Sequence, residues 1–505
     1  MKKKRIAAIV CSFLLAAGSI ISLFETVYSG DPDIDPAWDT AEGTIMTNDG
    51  SVICECKDDN HRGTVNEPEI YGPLLGYNSE GFGRSGLRSK LMDKLYATDD
   101  KKSAQGNSIT LTLNSSVQTF AYNLMLPFSK IGKDTNACAV CIENKTGRIL
   151  GLVSIKAPLK TAENETIIYD VNNISTFCQK TEQTKTEIPD AYYLPEWALA
   201  KTPGSVFKCI SAIPIIENGL DNEPVCDKGS ILISSDIKIS NYHNYSYGEI
   251  SLADGLKYSS NCYFSSMYNN NLSKGNLSEM FDRCLLGSPL ELDFVSLKSN
   301  VNLSNQSSYI MSSFGQITVV TPLQTCSLLS GICSGTGVVK TPYLIEKETT
   351  PEGKSKVKGK PGTLTGITDK ETASKLCEYL QATAAHYGYD GVYMKTGTAE
   401  IADGVQNYCF CGNKEYTVLI SVHNFADTST ELTGAAHSLL KYTTSASLSR
   451  EEVHDAYADA SESEHKNRFE KFIHLFSKKD DVPEKGSSSE KKSSGISTLV
   501  DFFKS

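Results

Sequence analysis

Three short stretches of this chain carry side chains able to do covalent chemistry. The first is Thr202-Pro203-Gly204-Ser205-Val206-Phe207-Lys208. A serine hydroxyl is a weak nucleophile and needs a base within hydrogen-bond reach. A lysine three residues later shares its helix face, and one kept among apolar groups can lose its proton near neutral pH and serve as that base. The second stretch is Ser259-Ser260-Asn261, where a hydroxyl could pass a proton to a leaving amine and an amide could fix a peptide group. The third is Lys395-Thr396-Gly397-Thr398-Ala399-Glu400. Lys395 and Thr398 offer a charge and a hydroxyl to a carboxylate, and the backbone N–H groups of Ser205 and Thr398 could together form an oxyanion hole. Taken singly, each stretch has a plain reading: solvated helix surface, a polar turn, an exposed loop with a lysine. Their combination and order carry the weight.

These side chains need elements to hold them. Pro203-Gly204 breaks the chain and an apolar run from Val206 to Ile213 follows, which predicts Ser205 in the first turn of a helix. Pro214 should kink or end that helix. Residues two apart do not share a helix face, so Ser259 and Asn261 converge only if the backbone turns between Leu252–Tyr258 and Tyr263-Phe264. Glycine weakens a strand unless something approaches its backbone closely. Around Gly397, that something would be an extended peptide pairing along the strand edge. Elsewhere Ser108–Leu113 alternates as a strand, and Asn114 starts a helix with Val117, Phe120, Ala121 and Leu124 at helical spacing. Ala137 to Val153 reads as two strands around a turn at Asn144-Lys145-Thr146-Gly147. Strand signals return at Val392–Thr398 and Tyr416–Val422. Strands at both ends with helices between predict an α+β fold, an antiparallel sheet whose first and last strands meet, with a helical cluster packed on it.

The bulk properties narrow the function classes. A net charge of −11 argues against nucleic acid, whose phosphates call for a basic excess. Met1-Lys2-Lys3-Lys4-Arg5 precedes an uncharged run from Ile6 to Phe24, long enough to cross a bilayer as a helix. The basic cluster should stay cytoplasmic and the rest lie outside the cell membrane, as in a single-pass anchor; a cleaved signal peptide is the rival. The expected parts are a stub and anchor at 1–28, a small membrane-proximal module at 29–105, the main domain at 106–448 and a charged, low-complexity tail at 449–505. In that tail Phe469, Phe472, Ile473 and Phe476 form an apolar stripe, which either lies back on the domain or meets a partner or membrane. The fifteen cysteines show no simple disulfide framework. Cys138 and Cys141 should point to opposite faces of a strand, and the cysteines read as buried free thiols acting as small hydrophobes.

Ser-x-x-Lys, Ser-x-Asn and Lys-Thr-Gly in this order resemble the motif set of penicillin-binding proteins and class A β-lactamases. Over roughly residues 40 to 445 the chain resembles class B penicillin-binding proteins, the monofunctional transpeptidase type. Gly147-Arg148-Ile149-Leu150 is similar to an early strand of that family, and Leu111-Thr112-Leu113-Asn114 with Gln118 to another of its segments. Phe314-Gly315-Gln316 followed by Thr321-Pro322-Leu323-Gln324 resembles a segment that favours a transpeptidase over a β-lactamase. The resemblance implies a penicillin-binding transpeptidase domain behind the anchor and module. It implies peptidoglycan D,D-transpeptidation: Ser205 attacks the penultimate D-alanine carbonyl of a stem peptide, expels the terminal D-alanine and hands the acyl group to a neighbouring amine. β-Lactams would trap the serine. Lys208 would be the base, Ser259 a proton relay, and Asn261 a positioning group. Lys395, Thr396, Gly397 and Thr398 would bind the donor's carboxylate end. No metal or organic cofactor is implied; glycan polymerisation would need a membrane glycosyltransferase partner.

Departures from the family pattern are visible. Glu42-Gly43 stands where Arg-Gly is usual, which bears on the packing of the membrane-proximal module. Ile317 replaces a glycine after Gly-Gln. Met394 replaces a small residue before Lys-Thr-Gly, which could narrow the donor site or lower β-lactam affinity. Alternatives are a D,D-carboxypeptidase, a β-lactam-binding relative, and an inactive scaffold that activates a membrane glycosyltransferase.

Overall fold

The computed structural model describes residues 40–448, apart from short segments at 58–60, 80–81, 98–104, 130–134, 158, 161–165, 168–169, 182–193, 235–236, 358, 402–403 and 424–428. The expected anchor and tail lie outside the described residues. Among the described residues no helix is long and apolar enough to cross a membrane.

An N-terminal sheet forms first along the chain. It contains β1 (Ile45–Met46), β2 (Val52–Glu55), β3 (Thr64–Val65) and β4 (Ser108–Leu111). Two later strands, Ile345–Thr349 and Ser355–Val357, complete six, and Ile345–Thr349 pairs antiparallel with β4. The sheet therefore crosses the boundary expected at residues 105–106. Glu42, where an arginine was the family expectation, is buried beside this sheet and meets Arg88 of the short helix Gly86–Lys90. Arg88 Nε donates to Glu42 Oε1 at 2.8 Å and Nη2 donates to Oε2 at 2.6 Å. The same carboxylate accepts from the Gly63 N–H and Asn78 Nδ2. Burial alone would raise the Glu42 carboxyl; Arg88 and these donors outweigh it and hold it below its ordinary value. The charge departure thus has a buried, opposite-charge partner.

The central sheet carries β5 (Ala137–Glu143), β6 (Ile149–Ile155), β7 (Tyr393–Ile401), β8 (Gly404–Gly412) and β9 (Tyr416–His423) in the order β7-β8-β9-β5-β6, antiparallel throughout. The predicted meeting of early and late strands is the β5–β9 pairing, with Cys141 opposite Val418. The β5–β6 hairpin turns where predicted, with Gly147 at φ +83° and its N–H bonded to the Glu143 carbonyl. A Cβ at Gly147 would lie 2.3 Å from the Thr341 carbonyl oxygen, so only glycine fits.

Both faces of this sheet are apolar because both are covered. On one face lie α1 (Ser115–Ser129) and a late helix (Ser429–Leu448), bringing Val117, Ala121, Leu432 and Leu439 against Cys141, Val153, Cys409 and Ile420. Within α1 it is Met125, rather than Leu124 of the predicted stripe, that is fully buried. On the other face lies a helical cluster containing α2 (Lys208–Glu217), α3 (Asn261–Asn270) and α4 (Pro322–Cys333). All of α4 is buried, capped by the Thr321 side chain, which accepts from the Gln324 N–H, with Pro322 at the first turn. Pro214 does not end α2, which continues to Glu217. Asn218 closes its end, donating from both backbone N–H and Nδ2 to the Pro214 carbonyl.

The described cysteines are free thiols, most of them buried. Cys138 and Cys141 fall into the cores on opposite faces of the sheet, as strand alternation requires.

Candidate active site

The three motif stretches meet where the helical cluster faces the edge strand β7. Gly204–Phe207 forms a single 3₁₀ turn that runs straight into α2, so Ser205 sits in the first turn and Lys208 opens the helix. Gly204 has φ +56°, and a Cβ there would meet the Thr398 carbonyl at 2.9 Å. Opposite it, a Cβ at Gly397 would come within 2.8 Å of the Val206 nitrogen. These two glycines let β7 lie directly against the turn that carries Ser205.

Lys208 is fully buried. Its Nζ lies 2.9 Å from Ser205 Oγ, 2.8 Å from Asn261 Oδ1, 2.6 Å from the Ser259 carbonyl oxygen and 3.3 Å from Ser259 Oγ. Burial, then the nearby charge of Lys395, holds its pKa well below the ordinary lysine value. Lys395 is equally buried. Its Nζ donates to Ser259 Oγ at 2.9 Å and to the Thr396 carbonyl at 2.8 Å, and burial lowers its pKa to about 8.

The Ser-x-Asn stretch works through the turn that its spacing demanded. Ser259 takes φ +57°, between the helix Leu252–Lys257 and α3. That left-handed residue lets Ser259 and Asn261 reach the same lysine. Asn261 Nδ2 donates to the Ser240 carbonyl at 2.9 Å, which leaves its oxygen aimed at Lys208. Ser260 faces the other way: its buried hydroxyl caps α3 by accepting from the Tyr263 N–H.

The remaining residues lie along β7. Thr396 Oγ1 is 3.0 Å from the Tyr387 hydroxyl, and Thr398 Oγ1 donates to Asn407 Oδ1 of β8 at 3.1 Å. Ser205, Lys208, Ser259, Asn261 and Lys395 thus share one hydrogen-bond cluster; Thr396 and Thr398 adjoin it with other partners. Met394 is a correction. Strand alternation turns it away from the Lys395 side, and it is buried with Val392, Cys409 and Cys411 in the core on the far face, so it does not narrow the cleft. Ile317, in place of a glycine, has φ +67° and is 39% exposed. Nearby Gly315 packs so tightly on Gly204 that a Cβ would fall 2.0 Å from the Gly204 oxygen.

Sequence reasoning missed Tyr387, Asp227 and Asn241, which support the motif residues without belonging to any motif. Their positions in the chain give no local signal; only the fold brings them there.

The chemical capacity of the arrangement follows. A hydroxyl sits beside an amine whose environment disfavours its charged form, and a second amine that holds its proton more firmly stands at the strand edge. A family model for the penicillin-binding protein transpeptidase domain matches residues 137–428, more than half of the chain. The fold is similar to solved structures at low sequence identity. The D,D-transpeptidase domain of a peptidoglycan glycosyltransferase from Eggerthella lenta matches at TM-score 0.68 and 20% identity, covering 81% of this chain and 99% of that one. Penicillin-binding protein A from Mycobacterium tuberculosis matches at TM-score 0.68 and 21% identity, covering 81% and 100%. Penicillin-binding protein 3 from the same organism matches at TM-score 0.66 and 17% identity, covering 81% and 96%. With its motif cluster assembled on this sheet, the chain belongs to the penicillin-binding protein transpeptidase family, and within it the resemblance is to class B.

Proposed function

We propose that this protein is a serine D,D-transpeptidase that cross-links peptidoglycan stem peptides through an acyl-enzyme on Ser205. The observation that carries this reading is the 2.9 Å separation between Ser205 Oγ and the buried Nζ of Lys208. As a neutral amine, Lys208 accepts the Ser205 proton while its own N–H groups donate to the Ser259 carbonyl and Asn261 Oδ1. The new bond joins Ser205 Oγ to the penultimate D-alanine carbonyl carbon. The C–N bond to the terminal D-alanine then breaks, and its nitrogen takes a proton by way of Ser259 Oγ, which touches both lysines. An acceptor amine from a second stem peptide reverses the sequence and regenerates the serine.

Lys395, in its protonated form, binds the donor's terminal carboxylate, with Thr396 and Thr398 following it along the edge of β7; their hydroxyls, held at rest by Tyr387 and Asn407, would have to leave those partners to join it. The donor pairs as an extended peptide along the edge of β7; the close neighbour that requires glycine at position 397 is the Ser205 turn itself, not the peptide expected there from the sequence. The Ser205 and Thr398 N–H groups form the oxyanion hole, a role supported by the glycine contacts that press β7 onto the Ser205 turn. β-Lactams acylate the same serine; a solved structure of the Mycobacterium tuberculosis penicillin-binding protein A is a penicillin G acyl-enzyme complex. The basic-then-apolar N-terminus supports an anchored, extracytoplasmic domain, with glycan polymerisation supplied by a separate membrane glycosyltransferase.

Intact-protein mass spectrometry of the full chain in detergent, with and without a penicillin, tests this. One drug adduct on the native protein and none on Ser205→Ala is the expected result. A native protein that stays unmodified at high drug concentration would overturn the acylating role and leave the scaffold reading. Incubation of the acyl-enzyme with amine acceptors then separates transpeptidation from transfer to water.

A further inference from the structure

We infer that Asp227 is a positioning residue for Ser259: by clamping Ser260 and Asn241 it holds the left-handed turn that presents the Ser259 hydroxyl and carbonyl to Lys208. The inference rests on the acyl-enzyme reading above and extends it to a residue outside all three motifs.

Asp227 ends the strand Val225–Asp227, more than thirty residues before the Ser-x-Asn stretch, and it is fully buried. A buried carboxylate is costly unless its oxygens are satisfied, and here its hydrogen-bond donors are neutral. The Ser260 hydroxyl donates to Oδ2 at 2.5 Å. Asn241 Nδ2 spans both oxygens at 2.9 and 2.8 Å, and the Gly229 N–H donates to Oδ1 at 2.7 Å. Asn241 in turn accepts from the Cys262 N–H through Oδ1 at 3.0 Å and donates to the Tyr245 carbonyl at 2.9 Å. One carboxylate thus grips the first residues of α3 twice: directly at Ser260 and through Asn241 at Cys262.

The residue held in place by this grip is Ser259. A non-glycine residue at φ +57° persists only where its surroundings over-determine it. With Ser260 pinned by its hydroxyl and α3 pinned at Cys262, the chain entering from Leu252–Lys257 must turn at Ser259 to join them. That turn delivers both Ser259 oxygens to Lys208 Nζ. A charge-assisted bond from a serine hydroxyl to a buried carboxylate is stronger and more directional than a neutral one, which suits a clamp.

Asp227 also acts on Lys208 through its charge. The groups that bear on Lys208 are Lys395, Cys262, Cys209 and Asp227; Lys395 opposes its protonation and Asp227 favours it. Removing the carboxylate charge therefore lowers the Lys208 pKa further, an effect that a purely structural residue lacks.

The test is the second-order rate of penicillin acylation of the full chain, followed across pH for the native protein, Asp227→Asn and Ser260→Ala, with thermal melting as the folding control. D227N should lower the plateau rate by about tenfold or more, as sub-ångström misplacement of a catalytic group does, and should move the acid limb to lower pH. S260A keeps the charge and loses the clamp, so its plateau should fall similarly while its acid limb stays in place. Should D227N fail to fold, S260A decides alone. Folded variants that acylate within about twofold of the native rate, with unmoved acid limbs, would overturn the inference while leaving the acyl-enzyme reading intact. A native protein that is not acylated would instead sink that reading and the inference with it.

Discussion

Lys395 donates from Nζ to the Ser259 hydroxyl across 2.9 Å, although 136 residues separate them in the chain. The same hydroxyl lies 3.3 Å from Lys208 Nζ, so one oxygen stands between two buried amines. Two ammonium groups on one buried hydroxyl repel each other, and the burden of that repulsion falls on Lys208, whose pKa is the more depressed. The pair is therefore biased towards different roles: of the two amines, Lys208 gives up its charge the more readily and Lys395 keeps it the more firmly.

The pH dependence of acylation follows from this division. In the proposed mechanism acylation requires neutral Lys208, so the rate should rise as pH climbs through its lowered pKa. In the same mechanism donor binding requires protonated Lys395, so the rate should fall as pH passes about 8. A bell-shaped profile of penicillin acylation is expected, with the basic limb displaced by Lys395→Arg, whose guanidinium does not titrate there. A rate that climbs steadily through the alkaline range would contradict the assignment of Lys395.

Replacement of Lys208 by methionine keeps the volume and removes the proposed base. Acylation should fall by roughly 10²–10⁴-fold, while thermal stability holds or rises, because a desolvated amine is replaced by an apolar group. Rapid-mixing kinetics on the variant measure the first; a thermal melt measures the second.

Gly397→Ala introduces a Cβ 2.8 Å from the Val206 nitrogen and 2.9 Å from the Pro203 oxygen. Neither neighbour is a flexible side-chain end, so β7 must move away from the Ser205 turn. A loss of about 10²-fold in acylation is expected with secondary structure retained, as read by circular dichroism. An unimpaired variant would mean that β7 need not touch this turn.

The Glu42–Arg88 pair is a stability element. Arg88→Met strands a buried carboxylate and should cost about 3–5 kcal/mol in denaturant unfolding. The double variant Glu42→Gln with Arg88→Met should be milder than Arg88→Met alone, because no charge is left unpaired. Equal losses in both would show that the guanidinium's packing, rather than its charge, is what counts.

Ile317 holds a β-branched side chain in left-handed backbone while remaining 39% exposed. Ile317→Gly should relieve about 1 kcal/mol or more of strain, offset in part by the entropy of a glycine in the unfolded chain. A small net rise in melting temperature is expected, and a fall would place the Ile317 contacts above its strain.

Much of this site was legible in one dimension. Ser205 and Lys208 are three residues apart on one helix start, and a helix brings such a pair together without outside help. The strand pattern around Lys395 and the hairpin around Gly147 likewise depend on local alternation and turn chemistry. The spacing of Ser259 and Asn261 even required a backbone turn, which the φ of +57° at Ser259 supplies.

Tertiary structure decided everything that depends on contacts distant in sequence. Which face of β7 meets the cleft is set by strand register, and a one-residue difference sends Met394 into the far core and Lys395 to Ser259. The partner of Glu42 is an arginine forty-six residues away, and the clamp on Ser260 is a carboxylate thirty-three residues before it. The depressed pKa of Lys208 likewise belongs to the assembled site. It arises because packing removes water from two lysines at once, and desolvation is a property of the fold rather than of any segment of the chain.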